Sequence, residues 1–354
     1  MKPFKKLFVL ATTLLSLGVT ACNQTAKSEE SIPEEPVGPS VFVLTGQSNM
    51  EGQTAVGTNN TNLKNAFTAL GIEDGDCCID GIPEVQTSFY GCGYGELGDN
   101  KQIHASNTTD KIAGKFLDTK VGMGAGDRNG NDAGKMGPEL GMAYKLKTAG
   151  LATEENKIYF IKCGISGSGF AQSGNNAINW DVDGKDGQGR DRNLYKDHLK
   201  PYTQNCLNLI EEETGMKPVI RGFVWMQGES DSATEKIQVY NQRMNRLLDT
   251  FKEDFAEYAK NEEKENIAFL DATIYDKIGG QWGDATSLAL NQEKMKNAEE
   301  HDNYYIVNTS FRIEGGLQLA VGSPGGDNMH YCTKDSFRLG MAFADLVIDN
   351  NLLD

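Results

Sequence analysis

Ester cleavage without a cofactor needs a nucleophile, a base to take its proton and a carboxylate to orient that base. The chain has a serine placed for the first role. Ser48 follows the apolar run Val41-Phe42-Val43-Leu44, which reads as an interior strand, and Gly46 permits the sharp turn that leaves the Ser48 hydroxyl at a helix N-terminus. Four histidines are available as base: His104, His198, His301 and His330. His104 lies in an irregular stretch, His198 among lysines in a helical pattern and His301 at a helix end, where a polar or positive group is favoured anyway. His330 follows Gly325-Gly326-Asp327-Asn328-Met329, a loop after the last strand and before the last helix, so topology brings it to the sheet edge of Ser48. Asp327, three residues earlier, can fold back to hold the ring nitrogen that faces away from the serine. Acyl transfer also needs donors for an oxyanion. Gly164-Ile165-Ser166-Gly167-Ser168-Gly169 offers backbone amides, and Trp225-Met226-Gln227-Gly228-Glu229-Ser230-Asp231 offers the Gln227 amide as donor and Glu229 as acceptor.

The elements that must position these residues alternate. Val41–Thr45, Lys157–Cys163, Val219–Met226, Ile267–Ala272 and Tyr304–Thr309 are rich in β-branched or aromatic residues and read as strands. Helical patterns cover Pro138–Thr148, Tyr195–Glu212, Thr234–Tyr258, Leu288–Glu300 and Asp335–Asn350. Strand and helix in alternation predict an α/β fold, a three-layer α/β/α sandwich on a mostly parallel five-stranded sheet. In such sheets ligands bind at the carboxyl ends of the strands, where Ser48 falls.

Residues 57–136 break the rhythm. Rich in Gly, Asn and Asp, the segment is expected to be a large loop excursion beside the site, held by aromatic residues such as Phe89, Tyr90 and Tyr94 and by a local disulfide joining Cys77 or Cys78 to Cys92. Cys163, Cys206 and Cys332 complete the cysteines of the folded part, and Cys163 at a strand end reads as buried. No cysteine pair has zinc-site spacing, so no metal is expected. The Asp-rich stretches Asp127–Asp132 and Asp181–Asp191 do not match a calcium loop and read as solvated acidic loops. Trp180, Trp225 and Trp282 are either sugar-stacking faces or core.

The N-terminus reads as an address. Lys2, Lys5 and Lys6 precede an apolar stretch from Leu7 to Val19, too short to span a bilayer comfortably, and Val19-Thr20-Ala21-Cys22 resembles a lipobox. Residues 1–22 are then a lipoprotein signal peptide and Cys22 the lipidated residue that anchors the protein to a membrane of the cell envelope, facing the periplasm or the exterior. Residues 23–40, rich in Glu, Ser and Pro, are a flexible tether, and residues 41–354 the folded domain. The formal net charge of −16 would repel a phosphate backbone, and no basic patch with interleaved aromatics overrides it, so nucleic acid is excluded as a partner.

Four blocks together resemble a known family. Gly46-Gln47-Ser48-Asn49-Met50-Glu51-Gly52, Lys162–Phe170, Trp225–Asp231 and Asp327-Asn328-Met329-His330 look like those of the SGNH hydrolases, whose fold is flavodoxin-like. They look most like the sialate O-acetylesterase and acetylxylan esterase branch, carbohydrate esterase family six, over residues 41–347, with Gly137-Pro138-Glu139-Leu140 also familial. The resemblance implies a serine esterase that removes O-acetyl groups from a glycan and needs no cofactor. Ser48 matches the nucleophile and first oxyanion donor, Gly167 the second donor and His330 the general base, while Gln227 stands where many relatives have an asparagine donor. Asp327 fits the Asp-x-x-His pattern for the orienting carboxylate, and Glu229 has been assigned that role in some similar esterases. Ser166 departs from the glycine that relatives often carry. Two other readings use the same fold: a surface-tethered glycan-binding lipoprotein without turnover, for which an activated serine has no use, and a lipase or thioesterase, which needs a long apolar cleft.

Overall fold

A computed structural model describes residues 38–92, 115–125, 134–170, 179–185, 189, 191, 193–279 and 285–354. The expected signal peptide and lipidation site Cys22, almost all of the expected tether, His104, Tyr94, Asp127–Asp132 and Trp282 lie outside the described residues. The chain begins with β1 (Ser40–Gly46), α1 (Ser48–Glu51), β2 (Thr54–Ala55), α2 (Thr61–Leu70) and α3 (Cys77–Asp80). Then come β3 (Ile82–Cys92), β4 (Leu117–Thr119), β5 (Lys135–Met136), α4 (Glu139–Thr148) and β6 (Ile158–Ile165). A π-helical turn, Tyr195–Leu199, leads into α5 (Lys200–Thr214), followed by β7 (Val219–Met226), α6 (Thr234–Asp254) and β8 (Ala268–Ala272). The chain closes with α7 (Ala285–Glu300), β9 (Tyr304–Val307) and α8 (Thr333–Asp349).

Seven strands form one sheet in the order β4-β3-β6-β1-β7-β8-β9, and every pairing is parallel except β3 with β4. The five expected strands all appear and lie in the order β6-β1-β7-β8-β9, which is the flavodoxin-like arrangement. Central strands bury both faces: Val41, Phe42, Val43 and Leu44 of β1 and Phe160 and Ile161 of β6 have essentially no exposed surface. Right-handed crossovers from β6 to β7 to β8 to β9 put α5, α6 and α7 on one face. On the other, α8 packs on α4 and α2. Gly141 and Gly340 let α4 and α8 touch backbone to backbone, since a Cβ on Gly340 would meet the Pro138 carbonyl oxygen at 1.9 Å.

The segment expected to be a loop excursion instead supplies the helices α2 and α3, the strands β3 and β4 of the main sheet, and β5, which pairs with β2. β3 is eleven residues long and pairs in parallel register with β6 from Val85↔Ile158 to Cys92↔Ile165. Its pattern was obscured because its polar residues are satisfied by tertiary partners: Gln86 donates to Asp118 at 2.6 Å, Thr87 bonds Thr119 at 2.7 Å and Ser88 bonds Tyr202 at 2.7 Å. The same strand removes the expected local disulfide. Cys77 and Cys78 lie before its first residue, and about 3.3 Å of rise per residue carries Cys92 to the other end of the sheet. Cys77, Cys78, Cys163, Cys206 and Cys332 are free thiols.

Candidate active site

β1 lies between β6 and β7, so the chain leaves it in one direction toward β6 and later crosses back toward β7. The crevice opened by that reversal lies at the carboxyl end of β1. Gly46 turns the chain there with φ +141°, and a Cβ on it would meet the Met226 carbonyl oxygen at 2.1 Å, so no larger residue fits. Gln47 donates its backbone N–H to that carbonyl at 3.0 Å. Ser48 begins the single-turn helix α1, largely buried, and Gly52 closes that turn with φ +97°, donating its N–H to the Ser48 carbonyl.

The three polar neighbours of Ser48 each lock a different loop around it. Gln47 Oε1 accepts from the Gly228 and Ser230 amides at 3.4 and 3.3 Å and from Gln227 Nε2 at 3.2 Å, which ties α1 to the loop after β7. Asn49 donates to Glu229 Oε1 at 2.7 Å and accepts from the Tyr331 amide at 3.2 Å, which joins that loop to the peptide following His330. Thr54 holds the Tyr331 carbonyl at 2.9 Å. Glu51 accepts from the Ser166 hydroxyl in the loop after β6. Sequence reading missed all three roles; the available signal was a run of polar side chains at positions that a following helical turn must bury.

His330 and Asp327 meet as expected. The ring Nδ1 lies 3.0 Å from Asp327 Oδ2, while Asp327 Oδ1 accepts from the Met329 and His330 amides at 2.8 and 2.9 Å. One carboxylate therefore folds the turn and fixes the ring. Partial burial pushes the Asp327 carboxyl up, but the Met329 amide, the His330 ring and the His330 amide outweigh it and hold it below the usual carboxylate range. Glu229 is buried, and burial pushes its carboxyl up against the opposing bonds and charges of its own backbone, Asn49, Lys294 and His330. Its Oε2 is buried without a hydrogen-bond partner in the structure.

Gly167 turns the loop after β6 with φ +70° and is partly exposed. Gln227 differs from expectation. Its side chain has no exposed surface, and its amide nitrogen donates to Asp231 Oδ2 at 2.7 Å, the Ser168 carbonyl at 3.2 Å and Gln47. Tyr240 donates to its Oε1 at 3.1 Å and Lys294 to its carbonyl at 2.7 Å. Both N–H hydrogens are used within the protein, so Gln227 braces the loops and has no donor left for an oxyanion. Trp180 and Trp225 are wholly buried and pack edge to face at 5.3 Å, which makes them core and not sugar-stacking faces.

His198 is buried in the π-helical turn and His301 pairs with Asn245 at 3.0 Å. The described acids of the second Asp-rich stretch form surface ion pairs: Asp181 with Arg243, Asp183 with Arg246 and Asp191 with Lys196. Among the described residues no group of three metal-binding side chains occurs.

A family model described as carbohydrate esterase, sialic acid-specific acetylesterase, matches residues 100–349, more than two thirds of the chain. The matched span contains Gly167, Gln227, Glu229, Asp327 and His330 and begins after Ser48. No curated protein is similar in sequence. The fold is similar to that of NanS, with a TM-score of 0.54 and 15% identity over 90% of this chain and 99% of that one. It is also similar to a protein from Arabidopsis thaliana, with a TM-score of 0.51 and 17% identity over 88% of this chain and 99% of that one. At such identities the likeness is one of fold.

Proposed function

The chain belongs to the sialic acid-specific acetylesterase family of carbohydrate esterases, and on that premise we propose that Ser48, His330 and Asp327 perform its hydrolysis of O-acetyl groups on sugars through an acyl-enzyme. The observation that carries this assignment is the pair of hydrogen bonds made by Asn49: the residue after Ser48 grips Glu229 and the peptide after His330, so the chain at the nucleophile and the chain at the base are held by one side chain. His330 takes the Ser48 proton as its oxygen attacks the acetyl carbonyl. Asp327, 3.0 Å from Nδ1, selects the tautomer whose other nitrogen is free to accept and stabilises the imidazolium that forms. The oxyanion is held by the backbone amides of Ser48 and Gly167; the first N–H of a helical turn has no acceptor within the turn. The imidazolium returns its proton to the departing sugar oxygen. Water, deprotonated by the same ring, then attacks the acetyl-enzyme and releases acetate.

Glu229 supports a second reading of the orienting role, because its unpartnered Oε2 is buried within electrostatic reach of His330. O-acetylated sialic acid is the substrate that the family description favours, and acetylated xylan is the alternative. For the N-terminus, the basic start, short apolar stretch and Val19-Thr20-Ala21-Cys22 support export and lipid anchoring at Cys22 in the cell envelope.

The test is acetate release from O-acetylated sialic acid, acetylated xylan and a simple aryl acetate by wild type and Ser48→Ala. Loss of roughly 10⁴-fold or more in kcat is expected for the variant. Equal acetate release by Ser48→Ala would overturn the assignment, and no release from any substrate by wild type would favour the binding lipoprotein.

A further inference from the structure

We propose that Glu51 is a positioning residue for this reaction: through the Ser166 hydroxyl it holds the loop carrying Gly167 against the helical turn carrying Ser48. The proposal rests on the reading of Ser48 as nucleophile and Gly167 as oxyanion donor.

An oxyanion hole built from two loops works only when its donors are held at one separation. Ser48 N–H belongs to α1 and Gly167 N–H to the loop after β6, and these two pieces of chain are far apart in sequence. Two contacts join them. Gly164 presses on α1 so closely that a Cβ on it would lie 2.5 Å from Glu51 Cα. Two residues further on, the Ser166 hydroxyl donates to Glu51 Oε2, and Gln53 Nε2 bonds both partners, at 3.0 Å to Ser166 Oγ and 3.3 Å to Glu51 Oε2. Lys135 in turn donates to Gln53 Oε1 at 2.9 Å. The bonds form one network from the Lys135 ammonium to the Glu51 carboxyl, in which Ser166 Oγ accepts from Gln53 and donates to Glu51. Both bonds to Glu51 Oε2 are strongest when Glu51 is ionised.

The environment sets when it is ionised. Glu51 is buried, and burial pushes its carboxyl up to about 7 against the hydrogen bonds from Ser166 and Gln53 and the charges of Lys162 and Lys135. Lys162, from β6, is itself fully buried and bonded to Glu139 of α4 at 2.6 Å and to the Met123 carbonyl at 2.9 Å, so its charge is divided between Glu51 and Glu139. The Cys163 thiol, also on β6, is the remaining titratable group facing Glu51, and burial pushes it up, out of the range in which it would ionise. Protonating Glu51 removes the charge that strengthens the bonds from Ser166 and Gln53 and so loosens the loop from α1.

The experiment measures kcat and KM for wild type, Ser166→Ala, Ser166→Thr, Glu51→Gln and the Glu51→Gln/Ser166→Ala double variant between about pH 5 and 9, with Ser48→Ala alongside. Ser166→Ala is expected to lower kcat about 10- to 100-fold with KM within about twofold, the scale of a misplaced donor. Ser166→Thr, which keeps the hydroxyl, restores kcat. Glu51→Gln removes the Glu51 ionisation from the kcat profile, and the double variant is no slower than Ser166→Ala, because both changes cut one link. Wild-type kcat and an unaltered pH profile in Ser166→Ala and Glu51→Gln, with Ser48→Ala inactive, would overturn the positioning role and leave the esterase assignment standing. Activity in Ser48→Ala would remove the premise of both. A fall in melting temperature with kcat unchanged would make the Glu51–Ser166 bond a structural contact only and would also overturn the proposal.

Discussion

Glu51 shows at the scale of one residue how folding and function share a proton. Its carboxyl holds a proton up to about pH 7 in the folded protein, against 4.5 ordinarily, so the folded state binds more protons than the unfolded one between those values. Stability is then fully present below the lower value and falls as pH rises through the upper one, by about 3 kcal/mol in all. Glu51→Gln removes this dependence: chemical denaturation should show the variant gaining on wild type steadily from about pH 4.5 to 7 and not beyond. A constant difference across that range would contradict the burial of an ionisable Glu51. The orienting carboxylate is decided at the same scale. Asp327→Asn is expected to lower kcat about 10²- to 10⁴-fold and Glu229→Gln less than about tenfold, with both variants folded by circular dichroism; the reverse order would transfer the role to Glu229. Asp327 and His330 were legible as a bonded pair, and Ser48 as the residue at the carboxyl end of β1, because each stands at a strand end or loop with few competing candidates. Gln47, Asn49 and Glu51 were not, since their roles depend on which distant loops surround them, and Gln227 was misjudged because its acceptors, Asp231 and the Ser168 carbonyl, are brought to it only by the fold.

At the scale of elements, five of the seven sheet strands were readable to within a few residues, because strands buried on both faces leave apolar, β-branched runs. β3 and β4 were not, as their hydroxyl and amide side chains find partners across the sheet that no local pattern records. Five helices, α4 to α8, were legible, with proline near the first turn of α5 and a glycine closing it in a left-handed conformation, whereas α2, closed by Gly71 in the same way, lay in the segment read as a loop excursion. Close approach of two helices is also an element-scale property. Gly340→Ala would set a methyl group against the Pro138 carbonyl and force α8 away from α4, at a cost of about 1–3 kcal/mol, read as a lower melting temperature. An unchanged melting temperature would show that the two helices have room to part.

For the whole molecule, the flavodoxin-like strand order explains why the chemistry lies where it does: reversal of direction at β1 leaves one crevice, and the loops after β1, β6 and β7 line it. The net charge of −16 would repel polyanions, and the proposed anchor at Cys22 would hold the protein at the envelope. Cys22→Ser should abolish incorporation of labelled palmitate and leave the kcat of the purified protein unchanged; labelling that persists would remove the anchor. The central claim is that Ser48 forms an acetyl-enzyme, and it is tested most directly by rapid acid quench during turnover of an aryl acetate followed by peptide mass spectrometry. The account predicts an acetyl group on the peptide containing Ser48, absent in Ser48→Ala and accumulating in Asp327→Asn if deacylation is slowed more than acylation. An acetyl group on another residue of a fully active enzyme, with none on Ser48, would contradict it.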